Sequence, residues 1–198
     1  MARAALLLLV IVILTIAGTA QPSSRSPVKS DAASFIKESC GATQYPAVCV
    51  RYLSVYAKAI KQSPGQLAQV ALSVSLAKAQ TIKTNVSRMK YLRGLKAREL
   101  AAIKDCAEEM DDMVDRLTKS AQELKLMGRA RGQDFVWHAS NAQTWTSAAL
   151  TDANTCLDGF SGRAFDGRVK ASITVQVTNV IQVTSNALAL VNKYGSIP

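Results

Sequence analysis

The stretch LAAIKDCAEEMDDMVDRLTKSAQEL, residues 100 to 124, decides the fold class. Its apolar positions Leu100, Ile103, Ala107, Met110, Val114, Leu117, Ala121 and Leu124 recur at alternating steps of three and four. Side chains at that spacing stack on one face of an α-helix, and a stripe sustained over about seven turns is a core-facing seam. A helix of this kind cannot bury its stripe alone, so partner helices are required.

They lie on either side. Gly128 and Gly132 stop the first helix, and a second starts near Asp134 and runs to about Ala153, with small residues Ala139, Ala142, Ala148 and Ala149 that allow close packing. Gly159, Gly162 and Gly167 mark a loop. Beyond it, Ile173, Val175 and Val177 alternate as in a strand, yet Val169, Ile173, Val180, Ala187 and Val191 keep helical spacing across residues 166–193, and the length favours a helix. Upstream, Ser63 and Pro64 supply an N-cap and a proline at the first helical position. They open a helix carrying Leu67, Val70, Ala71, Val74, Ala77, Ile82 and Val86, which should end between Leu92 and Gly94. Four long amphipathic helices with short connections predict an all-α, up-and-down antiparallel four-helix bundle over residues 63–198. No sheet is expected, which removes the usual platform for nucleotide-binding loops.

An N-terminal helical hairpin extension is predicted over residues 31–62. Asp31 can cap a segment to Ser39, and Pro46 can open another through Gln62 with Val50, Leu53, Ala57 and Ile60 on one face. Residues 21–30, rich in Pro, Ser and charge, read as a disordered leader. Arg3, the 13-residue apolar run Ala4 to Ile16 and the small-residue exit to Ala20 read as a secretory signal peptide, residues 1–20. The run is short for a membrane span of about 20 residues, so no membrane attachment is expected after cleavage.

The formal charge of +10 falls to +9 without Arg3. Outside the cell such a basic chain favours acidic polysaccharides, membranes or acidic proteins over nucleic acid. Cys40, Cys49, Cys106 and Cys156 are an even number in an oxidising compartment and argue for two disulfides among three connectivities. Zinc is disfavoured, because 8, 56 and 49 residues separate the cysteines and His138 is the single histidine.

Catalytic patterns are missing. His138 has no nucleophile motif around it, and no GxGxxG, P-loop or HExxH suggests a cofactor or metal. What remains is a crowd of carboxylates, Glu108, Asp111, Asp112 and Asp115. Glu108 with Asp112 and Asp111 with Asp115 are i,i+4 like-charge pairs that cost a few tenths of a kcal/mol each. Such a face is either solvated and relieved by Arg116, Lys119 or a neighbouring helix, or a contact patch for a cationic or hydrogen-bond-donating partner. Trp137 and Trp145 read as core residues. Asn85-Val-Ser87 is either an N-glycosylation acceptor or an unused sequon within a helix.

The segment QTWTSAALTDANTCLDGF, residues 143 to 160, resembles the third-helix signature of the plant pectin methylesterase inhibitor and invertase inhibitor family. Three further blocks agree. Cys40, Thr43-Gln-Tyr-Pro46 and Cys49 resemble that family's N-terminal cysteine hairpin. Residues 101 to 106, AAIKDC, continuing through Asp112, Asp115 and Leu117, resemble its second-helix block, and residues 185 to 190, SNALAL, the end of its last helix. The resemblance covers nearly all of residues 31–194, an inhibitor domain. Met110 stands where the family usually has Tyr.

The resemblance implies disulfides Cys40 to Cys49 and Cys106 to Cys156. It implies a secreted cell-wall protein that is no enzyme and needs no cofactor, and that binds a pectin methylesterase non-covalently and one to one, over its pectin-binding cleft. Matching motif positions suggest Glu108, Asp112, Asp115, Gln143, Thr155 and Asp158 as polar contacts; around a helix end Thr155 and Asp158 could equally cap or turn the chain. Invertase inhibitors carry a Pro-Lys-Phe tripeptide before the third cysteine, and Ala97-Arg98-Glu99 stands there instead, which favours the esterase as target. An acid invertase inhibitor is the alternative. So is a non-inhibitory wall protein that holds acidic pectin through Lys83, Arg88, Lys90, Arg93, Lys96 and Arg98. With the chain ending at Pro198, it is expected to act alone or in trans, with no attached esterase.

Overall fold

In the computed structural model, residues 27–197 are described, with side chains from Asp31 onward. The expected signal peptide, residues 1–20, and residues 21–26 of the expected leader lie outside the described residues. Ser63 does cap the first bundle helix: its Oγ accepts from the Gln66 N–H at 3.3 Å, and Pro64 occupies the first turn. The chain forms α1 (Pro27–Gly41), α2 (Pro46–Leu53), α3 (Ala57–Ile60), α4 (Pro64–Met89), α5 (Ala97–Met127), α6 (Gly132–Asp158) and α7 (Arg168–Gly195). Helices α4 to α7 make the antiparallel four-helix bundle, each packed on its chain neighbours and α7 closing back on α4. Among the described residues there is no strand.

Helix α5 is buried along two stripes rather than one. Ile103, Met110, Leu117 and Leu124 lie on the predicted seam, and Ala102, Cys106, Met113, Ser120 and Met127 form a second row toward α6. A helix in a four-helix bundle needs this wider apolar face because it packs against two neighbours. Helix α6 answers with Ala139, Ala142, Ala149 and Ala153, all buried, so the two axes approach closely. Helix α7 is continuous, with Ile173, Val177, Val180, Ala187 and Val191 buried and Val175 exposed, as the helical period demands and a strand would not.

Four expectations are corrected. Helix α1 begins at Pro27, inside the leader, since proline's fixed φ suits a first turn. The segment from Pro46 to Gln62 is not one helix: Ser54 Oγ donates to the Val50 carbonyl at 2.7 Å, and a 3-10 turn at Ser54–Tyr56 separates α2 from α3. In α4 Ala77 is exposed, and Ala68, Leu72, Ser75 and Ala79 fill the core in its place, because the buried face must meet both α5 and α7. Trp137 is 66% exposed and therefore not core, while Trp145 is half-buried with Lys119 Nζ 4.8 Å from its ring centroid.

The extension is attached by polar as well as apolar contacts. Cys40 is bonded to Cys49. Buried Asn186 of α7 accepts from the Tyr45 N–H at 3.0 Å and donates to the Tyr45 carbonyl at 2.9 Å, a two-point clamp on the turn between α1 and α2.

Candidate functional site

Helices α5 and α6 are joined covalently. Cys106 is bonded to Cys156 with Cα atoms 4.3 Å apart, a separation that small residues on both helices make possible. Deeper along the same seam, Ser120 Oγ lies 2.8 Å from Thr146 Oγ1, and Glu123 Oε2 lies 2.7 Å from His138 Nδ1. His138 is thus half-buried and held by a carboxylate at the far end of the pair. Among the described residues, no group of three or more His, Cys, Asp and Glu side chains is arranged to hold a metal ion.

Charge divides sharply across the bundle. No acidic residue occurs between Glu38 and Glu99 or after Asp166, and eleven of the fourteen acids lie from Glu99 to Asp158. So α5 and α6 are acidic, and α4 and α7 are wholly basic in their charged residues.

On the outer face of α5, Glu108, Asp112 and Asp115 are exposed, as predicted for a contact surface and equally for a solvated one. Asp111, beside them, is ion-paired with Lys83 of α4. Thr155 and Asp158 are exposed at the C-terminal end of α6, on the side of the Cys106–Cys156 bridge. Gln143 is not with them. Twelve residues from Thr155, it stands about 18 Å along the helix. It is turned toward α7, where a Cβ on Gly195 would lie 2.9 Å from its Nε2. Thr155 does not cap: its Oγ1 donates to the Thr151 carbonyl at 3.0 Å within the helix. Asn85 faces the α4–α7 seam, half-buried, with its Nδ2 donating to Gln176 Oε1 at 2.8 Å.

Between the exposed row and the disulfide runs a second acidic layer. Asp152 of α6 is buried, and its Oδ2 lies 2.6 Å from Arg116 Nε of α5. Burial raises the Asp152 pKa above its usual value against the pull of Arg116. Glu109 is raised too, first by burial and then by Asp152 and Asp112, with Arg116 opposing. Glu109 and Asp152 escape a reading based on carboxylate spacing along one helix, which named Arg116 only as relief for the exposed carboxylates. One signal was available: Asp152 follows Ala149 and precedes Ala153 and Cys156 in the inward stripe of α6, a position where a charge needs a partner.

Fold and face together define a disulfide-braced helical bundle that presents an acidic seam of two locked helices. Residues 34–190 match the family described as plant invertase/pectin methylesterase inhibitor, and the chain belongs to that family. Pectinesterase inhibitor 11 of Arabidopsis thaliana is 54% identical over 164 residues, 82% of this chain and 81% of that protein. The "21 kDa protein" of Daucus carota is 51% identical over 162 residues, covering 82% and 84% respectively. Among solved structures, a mutant form of a pectin methylesterase inhibitor from Arabidopsis superposes with a TM-score of 0.64 at 21% identity, covering 80% of this chain and 94% of that one, a likeness of fold.

Proposed function

We propose that this protein is a secreted, cell-wall inhibitor of pectin methylesterase and is not itself an enzyme. It binds the esterase non-covalently and one to one, laying the α5–α6 face over the pectin-binding cleft so that substrate is excluded sterically. Glu108, Asp112 and Asp115 supply acceptors from α5, and Thr155 and Asp158 supply polar contacts from α6. The disulfide Cys106–Cys156 keeps the two rows in register. Gln143 lies at the margin of such a patch, since a standard interface covers about 800 Å² per partner, roughly 30 Å across.

One observation carries the choice of target: relatives named pectinesterase inhibitors match this chain at 54% and 51% identity over 82% and 88% of its length. Ala97-Arg98-Glu99, at the first turn of α5, also stand where invertase inhibitors have Pro-Lys-Phe. Secretion rests on the N-terminal apolar run and the four paired cysteines. Among the described residues, no helix is long and apolar enough to cross a membrane.

Titrating a pectin methylesterase and an acid invertase with the same oxidised preparation tests the reading. The expected result is stoichiometric loss of esterase activity at an equivalence point of one, with invertase untouched. Inhibition of invertase alone would overturn it.

A further inference from the structure

The side of the bundle opposite the acidic seam has a built centre. Tyr52, at the end of α2, leans over the seam between α4 and α7 and donates from its hydroxyl to Asn179 Oδ1 at 3.1 Å. Two cations gather on its ring: Lys78 Nζ lies 4.3 Å from the centroid and Arg51 Cζ 5.2 Å. Neither enters an ion pair with a described carboxylate. Tyr52 forms the ridge between two shallow grooves, one of about 350 Å³ bordered by Tyr56 and Lys78, the other of about 570 Å³ bordered by the amides Gln176, Asn179 and Gln182.

These features select an occupant. Two cations with no ion pair to a described carboxylate, set beside α4 and α7, whose charged residues are all basic, call for an anion. Of the amides on one border, Gln176 is engaged with Asn85 and Ser172, and the Asn179 amide N–H and the Gln182 amide suit a ligand rich in hydroxyls, because a hydroxyl both donates and accepts. The exposed ring of Tyr56 offers an apolar face with a polar tip, which suits the C–H face of a sugar. Grooves open on both sides of a ridge suit an extended chain rather than a compact ligand.

We infer that the Tyr52 ridge, with Arg51, Lys78 and the α4–α7 grooves, is a binding site for an acidic polysaccharide, a polyuronide chain whose carboxylates meet the two cations. The site lies apart from the α5–α6 face, so the protein holds polysaccharide and esterase at once. It differs from the basic run at residues 83–98, in which Lys83 is already paired with Asp111.

The test is salt-gradient elution of the oxidised protein from immobilised polygalacturonate, with its fully methyl-esterified form and phosphatidylserine vesicles as comparison probes. The expected result is retention on the polyuronide and little on either comparison. The double variant Arg51→Gln/Lys78→Gln should bind roughly tenfold more weakly, the ordinary worth of two exposed ion contacts. Tyr56→Ala, at an exposed ring, should also weaken binding. The control double Arg129→Gln/Arg131→Gln, which removes the same charge elsewhere, should bind nearly as the parent does. Equal weakening by control and test variants, equal retention on the esterified polymer, or vesicle binding that depends on Arg51 and Lys78 would each overturn the inference. Esterase inhibition by Arg51→Gln/Lys78→Gln should be unchanged. A protein that inhibits the enzyme but is not retained sinks this site alone, and one that is retained but does not inhibit sinks the proposed function alone.

Discussion

At the scale of single residues, Thr155 and Lys61 make opposite predictions. Thr155 is exposed on α6 and bonds the carbonyl four residues back, an interaction that competes with the helix instead of capping it. Thr155→Ala should therefore leave stability unchanged or raise it by up to about 0.5 kcal/mol through helix propensity. Any accompanying loss of esterase inhibition would then be loss of contact. Thermal melts and inhibition curves on one preparation separate the two effects, and a fall in melting temperature would contradict the geometry. Lys61 is strained: its φ of 53° and ψ of −122°, with the Ser63 N–H bonded to the Ile60 carbonyl at 3.2 Å, make it the first central residue of a type II′ turn. Only glycine takes that conformation without a steric penalty, so Lys61→Gly should stabilise the protein by about 1 kcal/mol in urea unfolding. Destabilisation by that substitution would show that the lysine side chain has a role the turn geometry does not reveal.

At the scale of elements, two attachments carry unequal weight. The Cys106–Cys156 bridge closes a separation of 50 residues and Cys40–Cys49 one of 9. Loop-closure entropy assigns them about 4 and 3 kcal/mol. Replacing both members of each pair by Ser should give that order in chemical denaturation. Only loss of the long-range bridge should also weaken inhibition, because it frees α6 to slide along α5. The reverse ordering, or equal loss of inhibition from both, would argue against a binding face shared by α5 and α6. Asn186 is the corresponding element for the extension. Asn186→Ala leaves the Tyr45 N–H and carbonyl without their partner and should cost about 2 kcal/mol. Proteolysis should then cut first near the α1–α2 turn.

For the whole molecule, the division of charge sets the pH dependence. Glu109 and Asp152 both have raised pKa values in the fold, so the folded state takes up protons more readily than the unfolded one. Their contribution to stability is therefore present at low pH and lost as pH rises through the raised values. Groups facing this pair are Asp105, Asp112 and Arg116 on α5, and α6 supplies Asp152 itself. Acidification from pH 8 should raise the melting temperature. In stronger acid the remaining carboxylates lose their charge and the net positive charge climbs above its neutral-pH value of +10, so self-repulsion should turn the curve down. Glu109→Gln should raise the neutral-pH melting temperature and flatten the acid side. Calorimetry from pH 4 to 8 decides this; a melting temperature still rising at pH 8 would mean that ion pairs outweigh the buried carboxylates.

Whatever depends on periodicity and local chemistry can be read along the chain before it folds. The helical nature of α5 and α7, the Ser63-Pro64 start of α4 and the up-and-down bundle were legible, because a stripe at steps of three and four and a cap are properties of neighbours along the chain, and the family was legible by the resemblance of the blocks around the cysteines. The tertiary structure alone decided which face of each helix meets which partner. Hence Ala77 gave way to Ala79, Trp137 turned outward, and the wide burial of α5 exceeded its heptad seam. It alone joined Asp152 to Arg116 and Glu109 across two helices, set Gln143 apart from Thr155, and brought Tyr52 of the extension onto the α4–α7 seam. Those pairings join residues tens of positions apart. Their energies depend on distance and burial, which composition and spacing do not encode until the helices pack.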